Sequence, residues 1–108
     1  MDISMRANNN RMFFTVSGSV SLADSLNLES FIYSNLTSSC KGAYICLGNI
    51  SHISSSLIGT FVRVRKTIKD RNIHMGFIDA SPETISLFRI TGILDQFEFY
   101  HSETEIPF

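Results

Sequence analysis

The chain has 108 residues, with nine Lys and Arg against ten Asp and Glu, a formal net charge of −1 and sixteen serines. This length fits one domain covering residues 1–108, and a content of 44% hydrophobic residues excludes a disordered chain. There is no basic surplus to neutralise phosphates, so we expect no nucleic-acid partner.

The first third of the chain predicts a β-hairpin followed by a helix. Residues 3–7 alternate weakly between polar and apolar, residues 8–10 are three asparagines typical of a turn, and residues 11–17 are strand-like. Ser21 and Asp24 then form a capping box, which marks a helix start. The apolar residues at helical spacing after it are Leu22, Leu26, Leu28, Phe31, Ile32 and Leu36.

The middle of the chain predicts a buried strand and a second helix. Residues 43–47 form a short apolar run, which we expect Gly48 and Asn49 to end. The helix begins near Ser55 and carries an apolar stripe at the spacing i, i+4, i+7 and i+11. The members of this stripe are Leu57, Phe61, Val64 and Ile68.

The last third predicts a strand, a helix and a final strand. Residues 73–79 and 97–100 are the strands, and residues 81–92 begin with a serine cap and a proline and end in glycine, as a short helix does. Residues 101–108 read as a polar tail. Strands that alternate with helices after an opening hairpin indicate an α/β fold with a mostly parallel central sheet and helices packed on it.

The two cysteines and the hydropathy pattern bear on the cellular compartment. Cys46 alternates within an apolar run and is expected to be a buried strand thiol, whereas Cys40 falls in a polar turn. No signal peptide and no apolar run long enough to span a membrane are visible, which favours a cytoplasmic protein with reduced thiols.

No pattern in the sequence indicates catalysis. The three histidines, His52, His74 and His101, lack the spacing of a metal site or a catalytic triad. All six glycines are isolated, so no phosphate-binding loop is present, and the acidic residues show no pairing for acid–base chemistry. We therefore expect no catalytic residue, no metal and no cofactor, and we disfavour an enzyme.

Three consecutive serines, Ser54, Ser55 and Ser56, lie where the middle strand and its loop meet the second helix. Serine is a good N-cap, so one of them is needed to cap this helix. The other two are expected to be exposed hydroxyls on a turn, accessible to a kinase.

Residues 45–59 resemble the signature segment of STAS domains, the family of bacterial anti-sigma factor antagonists. In that family a strand leads to Asp-Ser-Ser-Gly-Leu-Gly and then to an apolar helix. Gly18 and residues 77–94 extend the resemblance, which covers most of the chain and implies a domain core of about residues 11–100. Ser54 stands where the family has Asp, Leu57 where it has the first glycine of the motif, and Ser21 where it has an acidic residue.

The resemblance implies a partner-switching regulator. Ser55 matches the family's regulatory phospho-acceptor, with Ser54 and Ser56 as alternatives. Its partners would be a protein of the serine-kinase or anti-sigma type, bound when the serine is unmodified, and a serine phosphatase. The implied partner-binding residues are Ser21, Ser54, Ser56, Leu57, Ile58 and Gly59.

Two other functions are compatible with the same resemblance. The chain could be a STAS subunit of a transporter or ATPase complex, which requires no serine switch, or a ligand-sensing STAS module. In each case we expect a monomer or a weak dimer.

Overall fold

The computed structural model describes residues 1–107, which form five strands and three helices. The strands are β1 (Asp2–Asn8), β2 (Arg11–Ser19), β3 (Gly42–His52), β4 (His74–Ile78) and β5 (Phe99–Tyr100). The helices are α1 (Leu22–Asn35), α2 (Ser55–Asp70) and α3 (Pro82–Ile90). Two short 3-10 turns, Leu94–Gln96 and Glu103–Glu105, flank β5.

The strands form one sheet in the order β1-β2-β3-β4-β5. β1 pairs antiparallel with β2 across a two-residue turn, and all other neighbours in the sheet are parallel. The predicted opening hairpin and the predicted α/β fold are therefore confirmed. Each helix joins two neighbouring parallel strands, and residues of all three helices pack in one buried cluster on the same face of the sheet.

Serine caps begin all three helices. The Ser21 hydroxyl accepts a hydrogen bond from the Asp24 backbone N–H at 3.1 Å, and Asp24 completes the predicted capping box. The Ser54 hydroxyl accepts from the Leu57 N–H at 3.3 Å, and that of Ser81 accepts from a backbone N–H of α3 at 3.2 Å. Each of these bonds satisfies a backbone donor that has no partner within its helix.

The main core lies between the helices and one face of the sheet. Every member of the predicted α2 stripe is at most 1% exposed, so that prediction is confirmed. The stripe packs in one buried cluster with sheet residues such as Phe14, Ile45 and Phe77. The ring of Phe61 lies edge-on to that of Phe77, with their centroids 4.8 Å apart.

The apolar residues of α1 occupy two faces of the helix. Ser25, Leu28 and Ile32, at i, i+3 and i+7, face the core and are at most 1% exposed. Leu22 and Leu26 are 66% and 55% exposed. The sequence pattern grouped Leu22 and Leu26 with Leu28 and Ile32. The structure separates the first two from the second two because only one side of α1 contacts the sheet.

Strand β3 is longer than predicted, since it continues through Gly48 and Asn49 to His52. Gly48 does not end the strand. It accommodates the carboxylate of Asp79, whose Oδ2 would lie only 2.1 Å from a Cβ added at position 48. The pairing register between β2 and β3 shifts over this stretch, as in a β-bulge.

The second face of the sheet is covered by the segment after β5. Ile106, which the sequence placed in a polar tail, is 7% exposed and packs with Phe13, Tyr44 and Ile78. An ion pair of 2.7 Å between Arg6 and Glu103 holds the segment against β1. Burial raises the pKa of Tyr44 to about 12.

The two cysteines lie on opposite faces of the sheet, and the predicted difference in their burial is reversed. Cys40 is buried in the main core, and its thiol donates a hydrogen bond to the carbonyl oxygen of Gly42 at 3.2 Å. Cys46 is only half-buried, because it points to the thinly covered second face. Both are free thiols, and burial raises the pKa of each.

The cover over the second face makes a testable contribution to stability. We expect Ile106→Ala to lower the free energy of unfolding by about 2 kcal/mol, because it removes a buried side chain that the surrounding residues cannot replace. Urea unfolding measures this change. Thr104→Ala, at an exposed position in the same segment, is the control, and equal stability of the two variants would contradict the packing of Ile106.

The caps of α2 make a second stability prediction. Ser54→Ala should destabilise the protein by about 1 kcal/mol because the Leu57 N–H loses its acceptor. Ser55→Ala should change stability by less than about 0.5 kcal/mol, as is usual for an exposed position. Thermal or urea unfolding compares the two variants, and Ser54→Asp should retain the stability of the original chain, since Asp caps as well as Ser.

Candidate functional site

The three serine-capped helix starts lie at one edge of the sheet. The carboxyl ends of neighbouring parallel strands meet at the same edge, so the loops after β2, β3 and β4 are neighbours. A hydrogen bond of 3.2 Å between the hydroxyls of Ser19 and Ser51 joins the carboxyl ends of β2 and β3, from which the first two of these loops leave. The start of α2 therefore lies beside the start of α1.

Within the serine run, the three hydroxyls have different environments. The Ser54 hydroxyl caps the helix and also bonds to that of Ser56 at 2.8 Å, and both residues are half-buried. Ser55 is exposed at the first position of α2. Within residues 1–107, its hydroxyl has no hydrogen-bond partner. Among the three, Ser55 therefore presents the most accessible nucleophilic oxygen.

Ser55 lies at a helix N-terminus whose own first turn carries no negative charge. The first turn of α2 contains no acidic residue, whereas α1 has Asp24 and α3 has Glu83 at that position. Hydrogen bonds from Ser21 hold the pKa of Asp24 below its usual value. The partial positive charge of a helix start favours an added anion, and at α2 no carboxylate already occupies it.

The predicted partner-binding residues divide into surface and core positions. Ser21 is exposed, and Gly59 is half-buried along with Ser54 and Ser56. Leu57 and Ile58 are 0% and 5% exposed, so their side chains anchor α2 to the sheet. The start of α2 therefore presents its serines and backbone at the surface, with the two apolar side chains beneath them.

Sequence reasoning missed the exposed pair Leu22 and Leu26. Both lie in the first half of α1, at the same sheet edge as Ser55. The spacing of these residues could have identified the pair. On a helical projection, one side carries Ser25, Leu28 and Ile32, and another side carries Leu22 and Leu26. Large exposed apolar side chains next to each other are typical of contact surfaces.

An open groove of about 400 Å³ lies between the end of β3 and the start of α3. It is lined by Ile50, Ser51, His52, Ile53, Ser81, Glu83, Thr84 and Leu87.

Across residues 1–107, no three His, Cys, Asp or Glu side chains converge as metal ligands would. Nor, in that part of the chain, is any helix both long and apolar enough to cross a membrane.

Solved structures of other proteins share this fold, and three of them illustrate the similarity. An anti-sigma factor antagonist from Mycobacterium paratuberculosis superposes with a TM-score of 0.83 at 16% identity, covering 96% of this chain and 88% of that one. The Bacillus cell fate determinant SpoIIAA, in its phosphorylated form, gives 0.76 at 12% identity over 96% and 95% of the two chains. A sulfate transporter family protein from Wolinella succinogenes gives 0.78 at 6% identity over 92% and 83%.

At these identities the structural likeness establishes a common fold, and family membership rests on the sequence. No curated protein sequence matches the chain. A family model of the STAS domain matches residues 2–106, nearly the whole length. The predicted resemblance is thereby confirmed, and the chain belongs to the STAS domain family.

Proposed function

We propose that the protein is a bacterial partner-switching regulator whose binding to a serine-kinase or anti-sigma-type protein is controlled by phosphorylation of Ser55. The unmodified form binds the partner, the phosphorylated form does not, and a serine phosphatase restores binding. The observation that carries this proposal is the difference among the three serines: Ser54 and Ser56 bond to each other, and Ser55 is exposed.

The docking surface in this proposal combines Ser55 with the exposed side chains at the start of α1. Leu22 and Leu26 supply apolar area, and Ser21 and Ser55 supply hydroxyls at the same edge of the sheet. An apolar centre with polar groups beside it is the usual composition of a protein–protein contact. In this proposal the start of α1 supplies the apolar part of the surface, because the side chains of Leu57 and Ile58 are buried.

A phosphate at Ser55 would act on the partner rather than on the fold. It adds about −1.5 to −2 charges at pH 7, and a helix N-terminus tolerates such charge. In a docked complex the same charge would have to lose water or face the partner's acidic groups, which costs a few kcal/mol. That corresponds to about 100-fold weaker binding or more.

Ser54, in place of the family's Asp, is compatible with this switch. Its hydroxyl performs the capping that a carboxylate can also perform, since Asp and Ser are equally good N-caps. The replacement leaves the helix start without a fixed charge. Phosphorylation would therefore produce a larger relative change in local charge than it would beside an aspartate.

Charge at position 55 tests the switch. Ser55→Ala should bind the kinase-type partner permanently, and Ser55→Asp should bind it markedly more weakly, because only the second variant carries negative charge at the docking edge. Calorimetric titration with the purified partner measures both affinities. Peptide mapping of the protein from its own cells should find one phosphate on Ser55, and Ser55→Asp binding as tightly as the unchanged chain would refute the proposal.

The apolar part of the surface has its own test. Leu26→Ser should weaken partner binding about tenfold, as truncation of a contact residue worth 1–2 kcal/mol does, with little effect on stability. Ile90→Ser, at an 81% exposed position at the far end of α3, is the matched control. Equal affinities of the two variants would exclude Leu26 from the docking surface.

A second candidate function is a STAS subunit of a transporter complex, favoured by the structural likeness to the sulfate transporter family protein. In that case Ser55→Asp would not change binding, and the chain would copurify with a permease or an ATPase. The Ser55 titration therefore separates the two functions.

A further inference from the structure

Strand β1 forms one edge of the sheet and has an outer side that no strand within residues 1–107 covers. Residues 4–8 of this strand are exposed. An uncovered edge presents backbone N–H and C=O groups that can pair with a further strand. What this edge could pair with is indicated by the side chains along it.

The sequence of β1 is complementary to itself when read in the antiparallel direction. With Ser4 opposite Ser4 of the partner subunit, Asp2 lies opposite Arg6 of the partner subunit, and Arg6 opposite Asp2 of the partner subunit. On the other face of the strand, Ile3 lies opposite Met5 of the partner subunit. We propose that β1 pairs antiparallel with β1 of a second copy of this chain, joining two five-stranded sheets into one.

Other registers lose this complementarity. A shift of the antiparallel pairing by two residues places Arg6 opposite Ser4 of the partner subunit and leaves both charges without a partner. A parallel, in-register pairing places Asp2 beside Asp2 of the partner subunit and Arg6 beside Arg6 of the partner subunit. Directly opposed like charges destabilise strand pairs, and opposite charges stabilise them, so the register centred on Ser4 is favoured.

Both faces of β1 carry exposed side chains that can take part in this contact. Arg6 forms an ion pair of 2.7 Å with Glu103, and its guanidinium carbon lies 4.4 Å from the centroid of the Phe13 ring. The Arg6 side chain nevertheless remains 56% exposed. The planar guanidinium has donors for a second carboxylate. On the same face, Asp2 is exposed and forms no ion pair with the described residues. On the other face, Met5 is 37% exposed and would be covered by Ile3 of the partner subunit.

The contact is small, since it consists of one strand from each copy, and it predicts a weak dimer in rapid exchange. It leaves the start of α2 uncovered, because β1 is separated from β3 and its helix by β2. The proposal does not depend on phosphorylation of Ser55, and its test needs no partner protein. The failure of one proposal is therefore distinguishable from the failure of the other.

Charge reversal tests the pairing with a built-in rescue. Sedimentation velocity of the chain without an N-terminal tag, from about 10 μM to 1 mM, should show a mass rising from 12.1 kDa towards twice that value. Asp2→Arg and Arg6→Asp should each raise the dissociation constant about tenfold or more, because each creates two pairs of opposed like charges in the dimer. An equimolar mixture of the two variants should recover dimers, since every opposed pair is then of opposite sign.

Two further variants complete the test. Ser4→Lys should also weaken the dimer, because it places two lysines opposite each other at the centre of the pairing. Asp95→Arg makes the same change of charge as Asp2→Arg at an exposed position outside β1 and should leave the dimer intact. A monomer at every concentration, or a mixture of Asp2→Arg and Arg6→Asp that stays as monomeric as its components, would overturn the proposal.

Discussion

The apolar stripe of α2 packs against the sheet, and the position of the candidate site depends on this contact. Phe61 lies at its centre, with its ring 4.8 Å from Phe77 of β4 and 6.3 Å from Phe88 of α3. Leu57 is part of the same stripe and is fully buried, so the first turn of the helix cannot rotate without disturbing the core. The orientation of that turn determines which of Ser54, Ser55 and Ser56 faces outward.

Three of the serines begin the three helices of the chain. Ser21, Ser54 and Ser81 each satisfy a backbone donor at a helix start, and the three starts share one edge of the sheet. Ser56 is bound to Ser54, so local hydrogen bonding occupies two of three neighbouring hydroxyls. Ser55 differs from them only in its lack of a structural role, which is what a reversible modification requires of its acceptor.

The two faces of the sheet are covered in different ways. Three helices bury one face, whereas the segment around Ile106 covers the other and is held to β1 by the Arg6–Glu103 ion pair. Arg6 thus contributes to the cover within the chain and, in the proposed dimer, to the contact between chains. The start of α2 and the outer edge of β1 are separated by β2, so the proposed contacts at Ser55 and at β1 use different strands of the sheet.

The sequence alone predicted the order of strands and helices, the capping box at Ser21 and the buried stripe of α2, because these depend on periodicity and on hydrogen bonds between near neighbours. The family resemblance placed the expected phosphorylation site among three adjacent serines. The tertiary structure decided which of them is exposed, which side of α1 leaves Leu22 and Leu26 in solvent, and why Cys46 is less buried than Cys40. These outcomes depend on which faces of a helix or strand are covered by residues distant in sequence. A local pattern records that a face is apolar, but only the packed structure determines what lies against it.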